Sequence, residues 1–162
     1  MSQERDLRIL LDHVGLAVED ADTIEPILKL LGAKTLVDEE LDFLGSRWLY
    51  YEIGPESRVE LLVPIEEGTF LTDFIEKSGP GLHHVTFEVA NIDDFTAHLE
   101  ENGVSLVDRT QRPKYDEAFI SPRETGGILL QLIEYEAGYA EKYAADEVGA
   151  TIFPQGERLS DR

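Results

Sequence analysis

At 162 residues, 42% of them apolar, the chain is long enough for one domain, or for two small modules sharing a core, to fold on its own. It has no cysteine, which excludes disulfides, thiolate metal sites and cysteine nucleophiles, so any metal must be held by nitrogen and oxygen. The 34 acidic residues against 14 basic ones give a net charge of −20, which repels nucleic acid and anionic membranes and suits a solvated, salt-tolerant surface of halophile type.

The first residues, Met-Ser-Gln-Glu-Arg-Asp, lack the apolar stretch of a signal peptide, and no apolar run approaches the roughly 20 residues of a membrane span. A cytoplasmic location is therefore expected. Residues 11–38 align without gaps on residues 82–109 at an offset of 71, placing Leu11 on Leu82, His13 on His84, Val18 on Val89, Leu28 on Leu99 and Gly32 on Gly103. Self-similarity of this kind implies two copies of one supersecondary unit.

In the first copy, the period-two alternation of LDHVGLAV predicts a half-buried strand. Ile24, Ile27, Leu28 and Leu31 then recur at helical spacing, and Gly32 is placed to end that helix. Strands are expected near 34–37, 47–53 and 58–63. TFLTDFIEKSG reads as a connecting helix with Phe70, Phe74 and Ile75 inward, closed by Gly79-Pro80-Gly81. The second copy repeats the order, with LHHVTFEV as a strand, a helix on Ile92, Phe95 and Leu99 ended by Gly103, and strands near 104–107, 116–121 and 127–134. The expected organisation is a first βαβββ module at 9–66, a connecting helix and loop at 67–81, a second βαβββ module at 82–136 and a C-terminal extension at 137–162. Within the extension, Tyr139 to Val148 has helical character.

Alternation decides which side chains share a face of a strand. Val14, Leu16 and Val18 suit packing under a helix, which puts His13, Gly15 and Ala17 on the helix-free side. Val85, Phe87 and Val89 likewise leave His84, Thr86 and Glu88 together. The same offset carries Glu60 onto Gln131 in the equivalent strands VELLVP and LQLIEY. If the copies pack about a pseudo-twofold axis, His13, Glu60, His84 and Gln131 converge. Two imidazoles, a carboxylate and an amide suit one divalent ion among Zn, Co, Ni, Mn and Fe, left net positive as a Lewis acid. His83, His98 and Glu134 fall outside this set.

These segments resemble the vicinal oxygen chelate (glyoxalase, bleomycin resistance, dioxygenase) superfamily, and above all its methylmalonyl-CoA epimerases. The likeness runs over about residues 9–136 and rests on LDHVGLAVED, ELLVPIEEGT, GPGLHHVTFEVANID and SPRETGGILLQLIEYE. It implies an α+β fold in which two tandem βαβββ modules form a cupped mixed sheet with helices outside. It also implies metal ligation by His13, Glu60, His84 and Gln131, and an enzyme that stabilises an enolate or related oxyanion. The implied partner is a small-molecule substrate, an acyl-CoA or glutathione-type thioester, and the implied assembly a homodimer. Gln131 and Phe43 stand where the epimerases usually carry glutamate, and Gln cannot exchange a proton at neutral pH. Asp42, Glu52 and Glu88 are the nearby substitutes, with Glu88 the candidate general base because it shares the face of His84. A glyoxalase I type lyase, a non-haem Fe(II) dioxygenase and a metal-free drug-sequestering protein are the alternatives on the same fold.

Overall fold

The computed structural model describes residues 4–54, 57–142 and 158–161. The fold is α+β, with βαβββ occurring twice in tandem. Among the described residues no helix is long and apolar enough to cross a membrane. These residues fall into two compact units, His13–His83 in one and 4–12, 84–142 and 158–161 in the other.

The first module consists of β1 (Ile9–Ala17), α1 (Glu25–Leu30), β2 (Lys34–Leu41), β3 (Ser46–Glu52) and β4 (Arg58–Pro64). Its strands hydrogen-bond in the order β2-β3-β4-β1, with β1 parallel to β4 and the other pairs antiparallel. Pro26, in the first turn of α1, supplies a preset φ where no backbone donor is needed. On the α1 side Leu28 and Ala21 pack with Leu49, Tyr51, Leu61 and Val63, joined by Leu16 and Val18 as the alternation requires. Each such buried aliphatic side chain contributes about 1.5–3 kcal/mol relative to exposure.

The connecting helix, α2 (Phe70–Ser78), starts from a capping box of Thr69 and Thr72. Phe74 and Ile75 pack inward as expected, but Leu71, fully buried, takes the place expected of Phe70, which is 48% exposed. Leu71, with Phe74 and Ile75, packs on Ala17, Leu62 and Trp48. The face of β1 that carries Ala17, expected to be free of helix, is thus partly covered. The physical reason is that α2 needs an apolar seat, and the small Ala17 beside Leu62 provides it.

The second module runs β5 (Gly81–Val89), α3 (Ile92–Glu101), β6 (Leu106–Gln111), β7 (Tyr115–Ile120) and β8 (Leu129–Tyr135), with strand order β5-β8-β7-β6 and β5 parallel to β8. Val89, Ile92, Ala118 and Leu132 form its core with Phe87, Phe95 and Leu99. Asn91 caps α3 by accepting from Asp94 N–H, and Glu134 accepts from Ile92 N–H at 2.7 Å. Gly32 and Gly103, at the ends of α1 and α3, have φ of +89° and +80°, the left-handed region that favours glycine. α4 (Tyr139–Lys142) begins the extension, and the rest of the expected helix, to 148, lies outside the described residues.

The internal repeat extends to register. Val14 pairs with Val59, Gly15 with Glu60 and Leu16 with Leu61. Adding 71 to each number reproduces the other module's pairs, Val85 with Leu130, Thr86 with Gln131 and Phe87 with Leu132.

Candidate metal centre

His13 lies on β1 and is buried, its ring edge-on to Tyr50 with centroids 5.2 Å apart. Glu60, diagonal to it on β4, is also buried and accepts from the Trp48 indole N–H at 2.5 Å through Oε1. Tyr50 stands opposite Glu60 on β3 and carries the Arg58 guanidinium over its ring.

In the second module His84 is buried on β5, and Thr86, two residues on, is fully buried. The Thr86 hydroxyl donates to Gln131 Oε1 at 2.7 Å, and Gln131 Nε2 donates to Glu117 Oε2 at 2.8 Å. Glu117 is itself buried on β7 and accepts from Arg112 Nε at 2.9 Å. Because a carboxylate only accepts, its position settles which end of the amide is nitrogen.

His13, Glu60 and His84 each offer one ligand atom, and these atoms lie within 4.8 Å of one another. Two ring nitrogens and one carboxylate oxygen, withdrawn from bulk water, fit a first-row divalent cation. Glu88 is buried on the His84 side of β5, but both its oxygens are engaged, by Arg158 Nη1 at 3.1 Å and by Leu159 N–H at 2.7 Å. In this arrangement it anchors the C-terminal turn, where Ser160 Oγ also donates to Tyr135 O and Gly138 N–H to Asp161.

His83 packs its ring on Phe74 of α2, with centroids 4.9 Å apart, and His98 is exposed on α3. Asp42 is exposed in a short 3-10 turn and Glu52 is half-buried at the end of β3. Glu134 caps α3, and burial holds its carboxyl above the usual carboxylate range against the lowering effect of the Ile92 N–H. Sequence reading missed Trp48, Glu117, Arg112 and Arg158. The first two were discoverable, since the repeat places them at matched strand positions once a two-residue length difference is allowed.

A family description for the Glyoxalase/Bleomycin resistance protein/Dioxygenase superfamily matches residues 12–120. The chain belongs to that superfamily. The uncharacterised protein YqjC of Bacillus subtilis (strain 168) is 32% identical over 128 residues, covering 76% of this chain and 91% of that one. The ethylmalonyl-CoA/methylmalonyl-CoA epimerase of Cereibacter sphaeroides is 28% identical over 129 residues, 75% of this chain and 95% of that one. Among solved structures, methylmalonyl-CoA epimerase from Mycobacterium tuberculosis superimposes with a TM-score of 0.69 at 29% identity, over 87% of this chain and 97% of that one. The chain is therefore a superfamily member related to methylmalonyl-CoA epimerases.

Proposed function

We propose that the protein is a divalent-metal-dependent enzyme acting on an acyl-CoA thioester, with epimerase-type proton exchange at the carbon next to the thioester carbonyl. The observation that carries this reading is the buried group of His13, Glu60 and His84, with ligand atoms within 4.8 Å. Its likeness to proteins named as ethylmalonyl-CoA or methylmalonyl-CoA epimerases supplies the substrate class.

When bound, a divalent ion held by these residues and Gln131 supplies Lewis-acid stabilisation of an oxyanion developing on the substrate. Glu60 brings the ligand set's one negative charge, while Gln131 contributes an amide oxygen and no exchangeable proton. Thr86 and Glu117 hold that amide in one orientation. Leu71, Phe74 and Ile75 keep the Ala17 end of the first module's face dry. Glu88, the candidate base, is assigned instead to anchoring Arg158 and Leu159.

The test is solvent-deuterium exchange at the α-carbon of methylmalonyl-CoA and ethylmalonyl-CoA by metal-loaded protein. Metal-dependent exchange is expected. A metal-loaded protein that exchanges neither thioester but turns over a glutathione hemithioacetal would make the lyase reading correct instead. The composition of the group, two imidazoles with one carboxylate, also favours a second reading as a non-haem Fe(II) oxygenase. Oxygen consumption by the anaerobically iron-loaded protein with catechols would select it.

A further inference from the structure

Trp48 and Glu117 occupy the same place in the two modules. Trp48 pairs with Leu62 and Tyr50 with Glu60 across β3 and β4, while Glu117 pairs with Ile133 and Phe119 with Gln131 across β7 and β8. Since Leu62 and Ile133, like Glu60 and Gln131, differ by the repeat offset of 71, Trp48 and Glu117 are structural equivalents. Each hydrogen-bonds the polar residue of its module's last strand, Trp48 to Glu60 and Glu117 to Gln131.

Their chemistries are opposite, and so are those of their partners. Glu60 offers only acceptors, and its partner is an indole, which only donates. Gln131 ends in one acceptor and one donor, and its partner is a carboxylate, which takes the amide nitrogen. A cation can use the amide oxygen but has no use for the amide nitrogen, whose lone pair is delocalised. Glu117 therefore decides which atom of Gln131 is presented. Oε1 lies on the Thr86 side and accepts one hydroxyl bond, and a carbonyl oxygen has a second lone pair. Arg112, paired to the other oxygen of Glu117, fixes the carboxylate and balances its charge.

We propose that Glu117, with Trp48 at the matched position, is a positioning residue of the metal centre: Glu117 holds the Gln131 amide oxygen-first, and Trp48 fixes the rotation of the Glu60 carboxylate. This rests on the metal-binding reading above and deepens it. Outer partners of this kind typically change metal affinity 10–100-fold.

The experiment measures Co(II) binding to chelator-stripped protein by calorimetry and by the visible Co(II) spectrum. Glu117→Met, which removes the acceptor, should weaken binding about 10–100-fold and alter the spectrum. Glu117→Gln, whose amide oxygen can still accept from Gln131, should recover most of that loss. The decisive arm uses Gln131→Glu. There residue 131 has no N–H to give and meets Glu117 as a like charge, so adding Glu117→Gln should tighten binding instead of weakening it. Trp48→Phe keeps the apolar contacts to Leu62 and Leu71 and should weaken Co(II) binding even if the Glu117 variants prove poorly folded. The proposal is overturned if wild-type protein binds Co(II) while Glu117→Met and Trp48→Phe, both folded, match its affinity within about twofold, well short of the roughly 10–100-fold change expected of such partners. It is equally overturned if Glu117→Gln acts with the same sign in both backgrounds. Failure of wild-type protein to bind any divalent ion overturns the metal reading itself and is recognised separately.

Discussion

Removing Arg158 takes the guanidinium away from a buried carboxylate in the second module's interior. Arg158 and Glu88 meet at 3.1 Å with side chains 8% and 5% exposed, far drier than surface pairs such as Arg47 with Asp38 at 33% and 43%. Exposed pairs are worth about 0–1 kcal/mol, because water screens them and both side chains lose freedom. Breaking a buried pair costs about 3–5 kcal/mol, since the remaining charge stays desolvated without its partner. Arg158→Met should therefore destabilise the protein by about 3–5 kcal/mol, a fall in Tm of roughly 6–20 °C for a chain of this size. Glu88→Leu should cost similarly, leaving a buried guanidinium and an unsatisfied Leu159 N–H. The double variant should recover the part due to the buried charge but not the part due to the Leu159 N–H, whose acceptor Glu88 is still missing. Urea denaturation followed by far-UV circular dichroism gives the full cycle, with a constant slope confirming that the unfolding transition is unchanged. A cost below about 1 kcal/mol for Arg158→Met, as for a surface pair, would refute the claim that the C-terminal turn is clamped by a buried ion pair.

Glu134 supplies a pH signature. Its folded-state pKa is raised, chiefly by burial, so its contribution is present at low pH and is lost as pH rises through the folded value. The stability difference between wild type and Glu134→Gln should shift against wild type from the ordinary carboxylate range upward, measured by urea titrations between about pH 4 and pH 8. Gly45→Ala should destabilise by about 1–3 kcal/mol, because φ there is +59° and an added Cβ would lie 2.6 Å from Thr69 Cγ2. A Gly54→Ala control, with a similar φ of +66° but open space around it, separates steric from conformational cost in the same melting assay. With a net charge of −20, the melting temperature should rise between low salt and molar KCl as screening relieves self-repulsion, and an unchanged midpoint would remove the salt-adaptation reading.

The parts of the fold legible in advance were those written twice. Strand alternation sorted the faces of β1 and β5, and the constant offset of 71 placed Glu60 and Gln131 on equivalent strands, which the parallel registers match. Helix ends were legible from Gly32 and Gly103, whose positive φ few other residues tolerate. What escaped was information carried between dissimilar segments. The Trp48 to Glu117 equivalence is hidden by different loop lengths ahead of β3 and β7, compensated ahead of β4 and β8, which take β3 and β7 off the gap-free alignment. Glu88 looked like a pocket carboxylate because alternation reports the face of a side chain and says nothing of a partner 70 residues away, here Arg158. The Ala17 face looked open because β1 alone cannot show that α2 returns onto it. Inter-element contacts of this kind have no period for a one-dimensional pattern to detect.

Metal content, measured by elemental analysis after chelation and reconstitution of wild type and His84→Ala, tests the central claim most directly. About one equivalent of transition metal per wild-type chain and essentially none in a folded His84→Ala variant is the expected result, as for a site that depends on each of a few protein ligands. Equal metal content in the two proteins, or none in wild type after reconstitution, would contradict a metal centre built on His13, Glu60 and His84.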